Sequence, residues 1–181
     1  MRHIIAHLVR GEAKDYHINL TKDLVEKFEV FPIHNRIPPH LTLKRWFEID
    51  VEDMTDLYDR LTVFAAQSKQ SDYSFKGFGN FGKDVIFVDA IPSVEMSERI
   101  QELMTMLHEI KNMKFDEYDN GSDFHATVTL GALKTFDYDE IWNYLQTIEQ
   151  PNFAMKFDNI ATMKKVNGKW VVDRVWEISK N

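Results

Sequence analysis

Two short segments of the form His-X-Thr-X constrain the fold of this chain more than any other feature. They are His40-Leu41-Thr42-Leu43 and His125-Ala126-Thr127-Val128, and the two histidines are 85 positions apart in a chain of 181 residues. In both segments polar and apolar residues alternate, which is typical of a β-strand with one buried face. Because residues i and i+2 of a strand point to the same face, each histidine shares a face with its threonine. The fold must therefore contain two strands that each turn a histidine and a hydroxyl away from the core.

Strand-like and helix-like segments alternate along the rest of the chain. Apolar patterning predicts seven strands: Ile4–Val9, His40–Ile49, Tyr73–Phe81, Val85–Ile91, Phe124–Leu133, Phe153–Val166 and Trp170–Ile178. Four sets of apolar residues each occupy one helical face: Leu20, Leu24, Val25 and Phe28; Met54, Leu57, Tyr58, Leu61 and Phe64; Ile100, Leu103, Met104, Leu107 and Ile110; and Ile141, Tyr144, Leu145 and Ile148. Asn167-Gly168 predicts a tight hairpin turn, and Gly82-Lys83-Asp84 predicts another. Hairpins mixed with helices indicate an α+β fold rather than a doubly wound parallel sheet.

The distance between the two segments is close to half the chain, which suggests a duplicated lobe. Each segment follows an irregular stretch and precedes a helical pattern. A pair of lobes related by a pseudo-two-fold axis would bring the two strands face to face across a cleft. We therefore expect residues 1–181 to form a single domain of two lobes, each contributing one of the two segments.

Composition excludes several functional classes. With 44% hydrophobic residues the chain can build a substantial core, and with no cysteine it has no disulfide, no thiolate metal site and no cysteine nucleophile. A formal net charge of −7 argues against non-specific coating of nucleic acid, which requires a basic face. The charge is uneven, because 31–47 contains three basic and no acidic residues, whereas 116–123 contains four acidic and no basic residues. A local site for an anion remains compatible with this distribution.

The amino-terminal sequence MRHIIAHLVR does not have the pattern of a signal peptide. Its apolar run is short and interrupted by His3 and His7, and no small-residue cleavage site follows. No apolar stretch approaches the roughly 20 residues that a membrane helix needs. We expect a cytoplasmic protein with no membrane partner.

Two histidines and two hydroxyls brought to one cleft suit the cleavage of a phosphodiester. The reaction needs a base for the attacking oxygen and an acid for the leaving oxygen, and imidazoles can fill both roles near neutral pH. Hydroxyl groups can donate hydrogen bonds to the non-bridging phosphate oxygens, on which charge must be held in the transition state. This chemistry requires neither a metal nor another cofactor.

The segments Ile37-Pro38-Pro39-His40-Leu41-Thr42-Leu43 and His125-Ala126-Thr127-Val128 resemble the paired signatures of the 2H phosphoesterase superfamily. This group contains the bacterial 2′-5′ RNA ligase-like proteins and cyclic nucleotide phosphodiesterases, and the first segment is especially similar to the small bacterial YjcG-like members. The resemblance covers nearly the whole chain in length, motif spacing and element order. It implies two antiparallel sheets with outer helices and a site in the central cleft between them.

The same resemblance implies that His40, Thr42, His125 and Thr127 are the functional set, with the histidines catalytic and the threonines binding phosphate. It implies a nucleotide or RNA terminus as substrate, through a 2′,3′-cyclic phosphate, a 2′-5′ linkage or a related ester. One departure is that Phe124 stands where the family often has proline before the second histidine.

Further residues near the two segments are candidates for substrate binding. Strand alternation puts Lys44 on the face of His40 and Thr42, where it could neutralise phosphate, and Arg45 and Arg36 are alternative cations. Thr129 would extend the face of His125, or serve simply as a β-favouring residue. Among the aromatic residues, Phe78 and Phe81 are the best candidates for stacking on a base, because they lie in the glycine-rich segment 77–82.

The sequence leaves several alternatives open. His3 and His7 have an i, i+4 spacing but lie on a predicted strand, which argues against a zinc site, and we expect no bound metal. A binding module of the same fold that holds a nucleotide or RNA end without turnover is the first alternative to an enzyme. An interaction protein whose His/Thr strands are ordinary surface is the second. The acid and base roles cannot be divided between His40 and His125 at this stage, and the chain is expected to act as a monomer.

Overall fold

The computed structural model describes residues 1–119, 121, 124–130 and 137–180. These residues form eight strands, four α-helices and one 3-10 turn. The strands are β1 (His3–Leu8), β2 (His40–Phe47), β3 (Ser71–Phe81), β4 (Val85–Pro92), β5 (His125–Leu130), β6 (Asn152–Phe157), β7 (Asn159–Val166) and β8 (Lys169–Glu177). The helices are α1 (Gly11–Phe28), α2 (Val51–Gln67), α3 (Val94–Leu107) and α4 (Tyr138–Thr147), and the 3-10 turn is Ile33–Asn35.

The strands form two antiparallel sheets with equivalent orders. One sheet has the order β2-β1-β7-β8 and the other has the order β5-β4-β3-β6. Each contains a unit of strand, helix, edge strand and second helix, namely β1-α1-β2-α2 in one and β4-α3-β5-α4 in the other. In both units the edge strand carries the His-X-Thr segment. The predicted α+β fold of two antiparallel sheets with outer helices and pseudo-two-fold symmetry is confirmed.

Local sequence signals explain where three of the helices begin. The side chains of Asp50, Ser93 and Asp137 each accept a hydrogen bond from the backbone amide three residues ahead, at the starts of α2, α3 and α4. A side-chain acceptor at this position satisfies one of the free amides in the first helical turn. The apolar faces predicted from sequence are the buried faces of these helices. Helix α1 starts at Gly11, well before the apolar set that begins at Leu20.

The stretch Phe153–Val166, predicted as one strand, is two strands in different sheets. The chain crosses from β6 to β7 at Asp158, so β6 pairs with β3 and β7 pairs with β1. The buried Asn159 stabilises this crossing, because its side chain bonds to both the amide and the carbonyl of Leu8. The sequence pattern does not show this break, because both strands have buried residues at this point and the apolar pattern continues through it.

The predicted hairpin at Asn167-Gly168 is confirmed. It joins β7 to β8, and both turn residues have positive φ angles of 48° and 78°. Positive φ at both central residues is the geometry that asparagine and glycine tolerate best. The predicted extension of β5 to Leu133 lies outside the described residues.

A shared core joins the two sheets. Its buried residues include Leu41 from β2 and Ala126 from β5, which are the apolar neighbours of the two histidines. A polar contact also crosses this core, because the buried ring of His7 on β1 contacts the Tyr73 hydroxyl on β3 at 3.0 Å. Within the described part of the chain, no helix combines the length and apolarity needed to cross a bilayer.

Candidate active site

The two His-X-Thr segments lie on neighbouring edge strands, β2 and β5, which contact each other between the sheets. His40, Thr42, His125 and Thr127 are all partly exposed, whereas Leu41 and Ala126 between them are buried. A positive charge on His125 would lower the pKa of His40, so the two imidazoles are close enough to interact. The structure therefore brings the predicted set of four side chains together.

Hydrogen bonds determine which nitrogen of His40 carries its proton. Nδ1 lies 2.9 Å from the Pro38 carbonyl, which can only accept, so Nδ1 is the protonated nitrogen of the neutral ring. Nε2 is then the acceptor, and it lies 3.1 Å from the Thr42 hydroxyl, which donates to it. Burial lowers the pKa of His40 to about 4, the bond to Pro38 opposes this shift, and charges on His17 and His125 add to it. At neutral pH, His40 is a neutral imidazole with its Nε2 lone pair beside Thr42.

Two aromatic rings support His125. The Phe81 ring meets it edge-on at a centroid distance of 4.8 Å, and the Phe87 ring lies 4.7 Å away. Gly79 makes this arrangement possible, because a Cβ atom at that position would lie 2.3 Å from the Phe87 ring. The glycine-rich segment thus forms mostly the end of β3. There it leaves room for the Phe87 ring, which packs on His125.

Both edge strands contain a β-bulge at the same place relative to the histidine. On β2, Thr42 pairs with Ala6 and Lys44 with Ile5, so Leu43 is the extra residue. On β5, Thr127 pairs with Phe87 and Thr129 with Ile86, so Val128 is the extra residue. A bulge shifts the alternation of side chains by one residue. The equivalent bulges add to the pseudo-two-fold relation of the lobes.

The bulges make two sequence expectations wrong. Lys44 and Thr129 do not extend the exposed faces of their histidines, since they are 1% and 0% exposed. The ammonium of Lys44 instead forms a buried ion pair with Asp119 at 2.8 Å. Alternation from His40 and His125 failed here because the sequence does not mark the extra residue.

The acidic segment before the second motif forms ion pairs and hydrogen bonds with residues of the β2 strand. Burial alone would raise the pKa of Asp119, but bonds from Lys44 and from two backbone amides outweigh it and lower that pKa. Asp116 pairs with Arg45 at 3.2 Å, and the Arg45 guanidinium also lies over the Tyr118 ring. These partners weaken the case for Arg45 as a phosphate ligand. Asp123 lies outside the described residues.

The remaining candidates for substrate binding are Arg36, Phe78 and Phe81, and they differ in their surroundings. Arg36 precedes β2, its guanidinium lies over the Phe31 ring, and its carbonyl accepts a hydrogen bond from Trp170 in β8. Phe78 packs against the core, whereas Phe81 is 47% exposed and touches His125. Phe81 is therefore the better placed of the two aromatic candidates.

Sequence reasoning missed two residues beside the site, His17 and Phe87. His17 is buried on α1, and its Nε2 lies 2.9 Å from the Thr127 carbonyl. Its position three residues before Leu20 puts it on the apolar face of the helix, which was the signal available. No comparable signal distinguished Phe87 from the other apolar residues of its strand.

Comparisons with known proteins agree with this architecture. The structure resembles TT0787 of Thermus thermophilus with a TM-score of 0.72, 16% sequence identity and coverage of 98% of both chains. It resembles Escherichia coli LigT, solved in complex with 3′-AMP, with a TM-score of 0.59, 13% identity and 98% coverage of both chains. At these identities the likeness shows a common fold.

The sequence itself matches known proteins over most of its length. OB1230 of Oceanobacillus iheyensis, which carries a provisional phosphoesterase assignment, is 24% identical over 153 residues, covering 83% of this chain and 85% of that protein. The family model of the 2′-5′ RNA ligase superfamily matches residues 17–169, a range that includes both His-X-Thr segments. The chain therefore belongs to the 2′-5′ RNA ligase superfamily, the group of the 2H phosphoesterases.

Proposed function

We propose that this protein is a metal-independent phosphoesterase that cleaves a phosphodiester in a nucleotide or at an RNA end. The bond would be a 2′,3′-cyclic phosphate or a 2′-5′ linkage. His40 acts as the general base and His125 as the general acid, and Thr42 and Thr127 hold the phosphate oxygens. Membership in the 2′-5′ RNA ligase superfamily supports the reaction class.

The observation that carries the proposal is the protonation pattern of His40. Its Nδ1 proton is held by the Pro38 carbonyl, so Nε2 presents a lone pair toward Thr42. A general base must be unprotonated and within hydrogen-bond reach of the proton that it removes. The low pKa of His40, about 4, keeps the base form available at neutral pH.

The proposed hydrolysis balances without a further reactant. A water molecule gives a proton to Nε2 of His40 as its oxygen forms the new bond to phosphorus. The bond from phosphorus to the leaving ribose oxygen breaks, and that oxygen takes a proton from His125. The Thr42 hydroxyl, which donates to Nε2 without substrate, would turn to a non-bridging oxygen when phosphate binds, with Thr127 on the opposite side.

Nucleotide recognition is supported by a relative and by the surroundings of His125. Escherichia coli LigT has been solved with 3′-AMP, with ATP and with NADP+. In this chain the exposed ring of Phe81 lies beside His125, where a base attached to the reacting phosphate could stack on it. Arg36 is the remaining basic residue near the first His-X-Thr segment that is a candidate for binding a longer substrate.

The test is a panel of 2′,3′-cyclic nucleotides and 2′-5′ dinucleotides, assayed with and without a metal chelator. We expect turnover that the chelator does not change. His40→Ala and His125→Ala should each lower kcat by about 10² to 10⁴, the usual contribution of one acid or base, with the fold unchanged by circular dichroism. His108→Ala, which removes an exposed histidine stacked on Phe115, is the matched control and should retain full activity.

The outcomes separate the alternatives. Full activity in His40→Ala or His125→Ala would contradict the proposal. Nucleotide binding without any product would favour a binding module of the same fold. Binding that neither histidine substitution alters would favour an interaction protein with an unrelated binding surface.

A further inference from the structure

Helix α1 reaches across the boundary between the two sheets at His17. The helix lies between β1 and β2, in the unit that carries His40, yet it contacts β5 of the other sheet. The side chain of His17 is 6% exposed, and its Nε2 lies 2.9 Å from the Thr127 carbonyl. One hydrogen bond thus joins the unit of the first motif to the backbone of the second.

The chemistry of this contact is defined by its acceptor. A carbonyl only accepts, so Nε2 of His17 carries the proton and donates it. Burial lowers the pKa of His17, the bond to Thr127 opposes this shift, and a charge on His34 adds to it. The ring is therefore neutral at neutral pH, and its function at this carbonyl is that of a hydrogen-bond donor.

The contact lies where the second motif has least support from its own sheet. β5 is an edge strand, and edge strands have backbone groups on their outer side that no neighbouring strand pairs with. The bulge at Val128 follows Thr127 directly and further weakens the regular pairing with β4. A donor from α1 therefore holds the strand at the residue whose hydroxyl faces the cleft.

A second buried contact between the sheets offers a comparison. The Tyr73 hydroxyl of β3 donates to the ring of His7 on β1, whose other nitrogen donates to the Asn159 carbonyl. The His7 ring packs on Phe157 and the Tyr73 ring on Phe75, while the His7 backbone lies opposite Leu41 of the first motif. The bond of His17 therefore lies at the second motif, whereas the bond between His7 and Tyr73 lies away from it.

We propose that His17 is a positioning residue that sets where Thr127 and His125 stand relative to His40. The inference rests on the proposed phosphoesterase function, because it concerns the alignment of the same four side chains. Loss of the donor removes this hydrogen bond from the Thr127 carbonyl and lets the edge strand shift. A displacement of about 1 Å at a catalytic group can lower a rate by about 10²-fold.

The experiment compares three variants of the full chain. His17→Phe keeps the planar ring but removes the donor, and should lower kcat by about 10- to 100-fold while changing KM less than about 3-fold. His17→Gln restores an N–H donor, and should recover kcat to within about 3-fold of the wild type. Tyr73→Phe removes the hydrogen bond to His7, and should lower Tm while leaving kcat unchanged. Should His17→Phe not fold, His17→Leu provides the same comparison.

A readout independent of turnover is the NMR spectrum of the backbone. The amide resonances of His125 and Thr127 should move in His17→Phe, return in His17→Gln and stay in place in Tyr73→Phe. Wild-type kcat and unmoved resonances in His17→Phe would overturn the role of His17. A wild-type protein that turns over no substrate of the panel would overturn the proposed function instead, and the resonances would still decide whether His17 positions the second motif.

Discussion

At the scale of single residues, the surroundings of His40 determine both its tautomer and its basicity. The Pro38 carbonyl, two residues before His40, holds the Nδ1 proton. Desolvation then lowers the pKa of the ring, because the charged form loses more by burial than the neutral form. Burial thus favours the neutral form of the ring, and the hydrogen bond to Pro38, which opposes this pKa shift, keeps the remaining proton on Nδ1.

The ring of His40 should titrate near pH 4 and carry its proton on Nδ1 when neutral. Long-range ¹H–¹⁵N NMR of the imidazoles measures both properties directly, and His40→Gln assigns the signals. The same group should give the acid limb of kcat/KM, with activity rising as pH rises through this pKa. A titration at the ordinary value of 6.5, or a proton on Nε2, would contradict the assignment of His40 as the poised base.

At the scale of secondary-structure elements, the equivalent bulges of β2 and β5 decide which side chains face the cleft. Strand alternation correctly paired each histidine with the threonine two positions later. It failed for Lys44 and Thr129, because the extra residues Leu43 and Val128 lie before them. An inserted residue depends on pairing with a distant strand, so the local pattern carries no sign of it.

The buried pair of Lys44 and Asp119 ties the segment after α3 to β2 and should be structural. Lys44→Met leaves the Asp119 carboxylate buried without its cation, which typically costs about 3 to 5 kcal/mol. We expect this loss in urea unfolding, with KM for the best panel substrate changed less than about 3-fold, because Lys44 is shielded from the cleft.

The double variant Lys44→Met/Asp119→Asn is the control for the ion pair. Its loss of stability should be smaller than the sum of the two single losses, since the second substitution removes the unpaired charge. A large rise in KM at unchanged stability in Lys44→Met would instead support Lys44 as a ligand of phosphate.

At the scale of the whole molecule, histidines that loss of solvent contact keeps neutral make the fold sensitive to acid. Burial lowers the pKa of His7 to about 4, against 6.5 for an ordinary histidine, and it also lowers the pKa of His3, His17 and His40. Between these two values the unfolded chain binds more protons than the folded one. The stability that these neutral histidines contribute is therefore fully present above pH 6.5, and it is lost as the pH falls toward 4.

For His7, which is 1% exposed, the shift corresponds to a loss of about 3 kcal/mol across that window. His7→Gln keeps a donor for Asn159 and an acceptor for Tyr73 but does not titrate. Within the window, the free energy of unfolding of this variant should fall less per pH unit than that of the wild type. The difference between the two slopes should be about 1.4 kcal/mol per pH unit. Urea unfolding at several pH values measures this slope, and equal slopes in the two proteins would contradict the prediction.

The sequence by itself determined the α+β class, six of the eight strands as separate runs, the hairpin at Asn167-Gly168 and the pairing of each histidine with its threonine. These features follow from alternation, helical periodicity and turn chemistry, which act between near neighbours in the chain. Only the tertiary structure decided that β2 and β5 are adjacent edges, that Lys44 turns inward and that His17 holds the Thr127 carbonyl. These features depend on contacts between distant segments, and such contacts leave no periodic trace in the sequence.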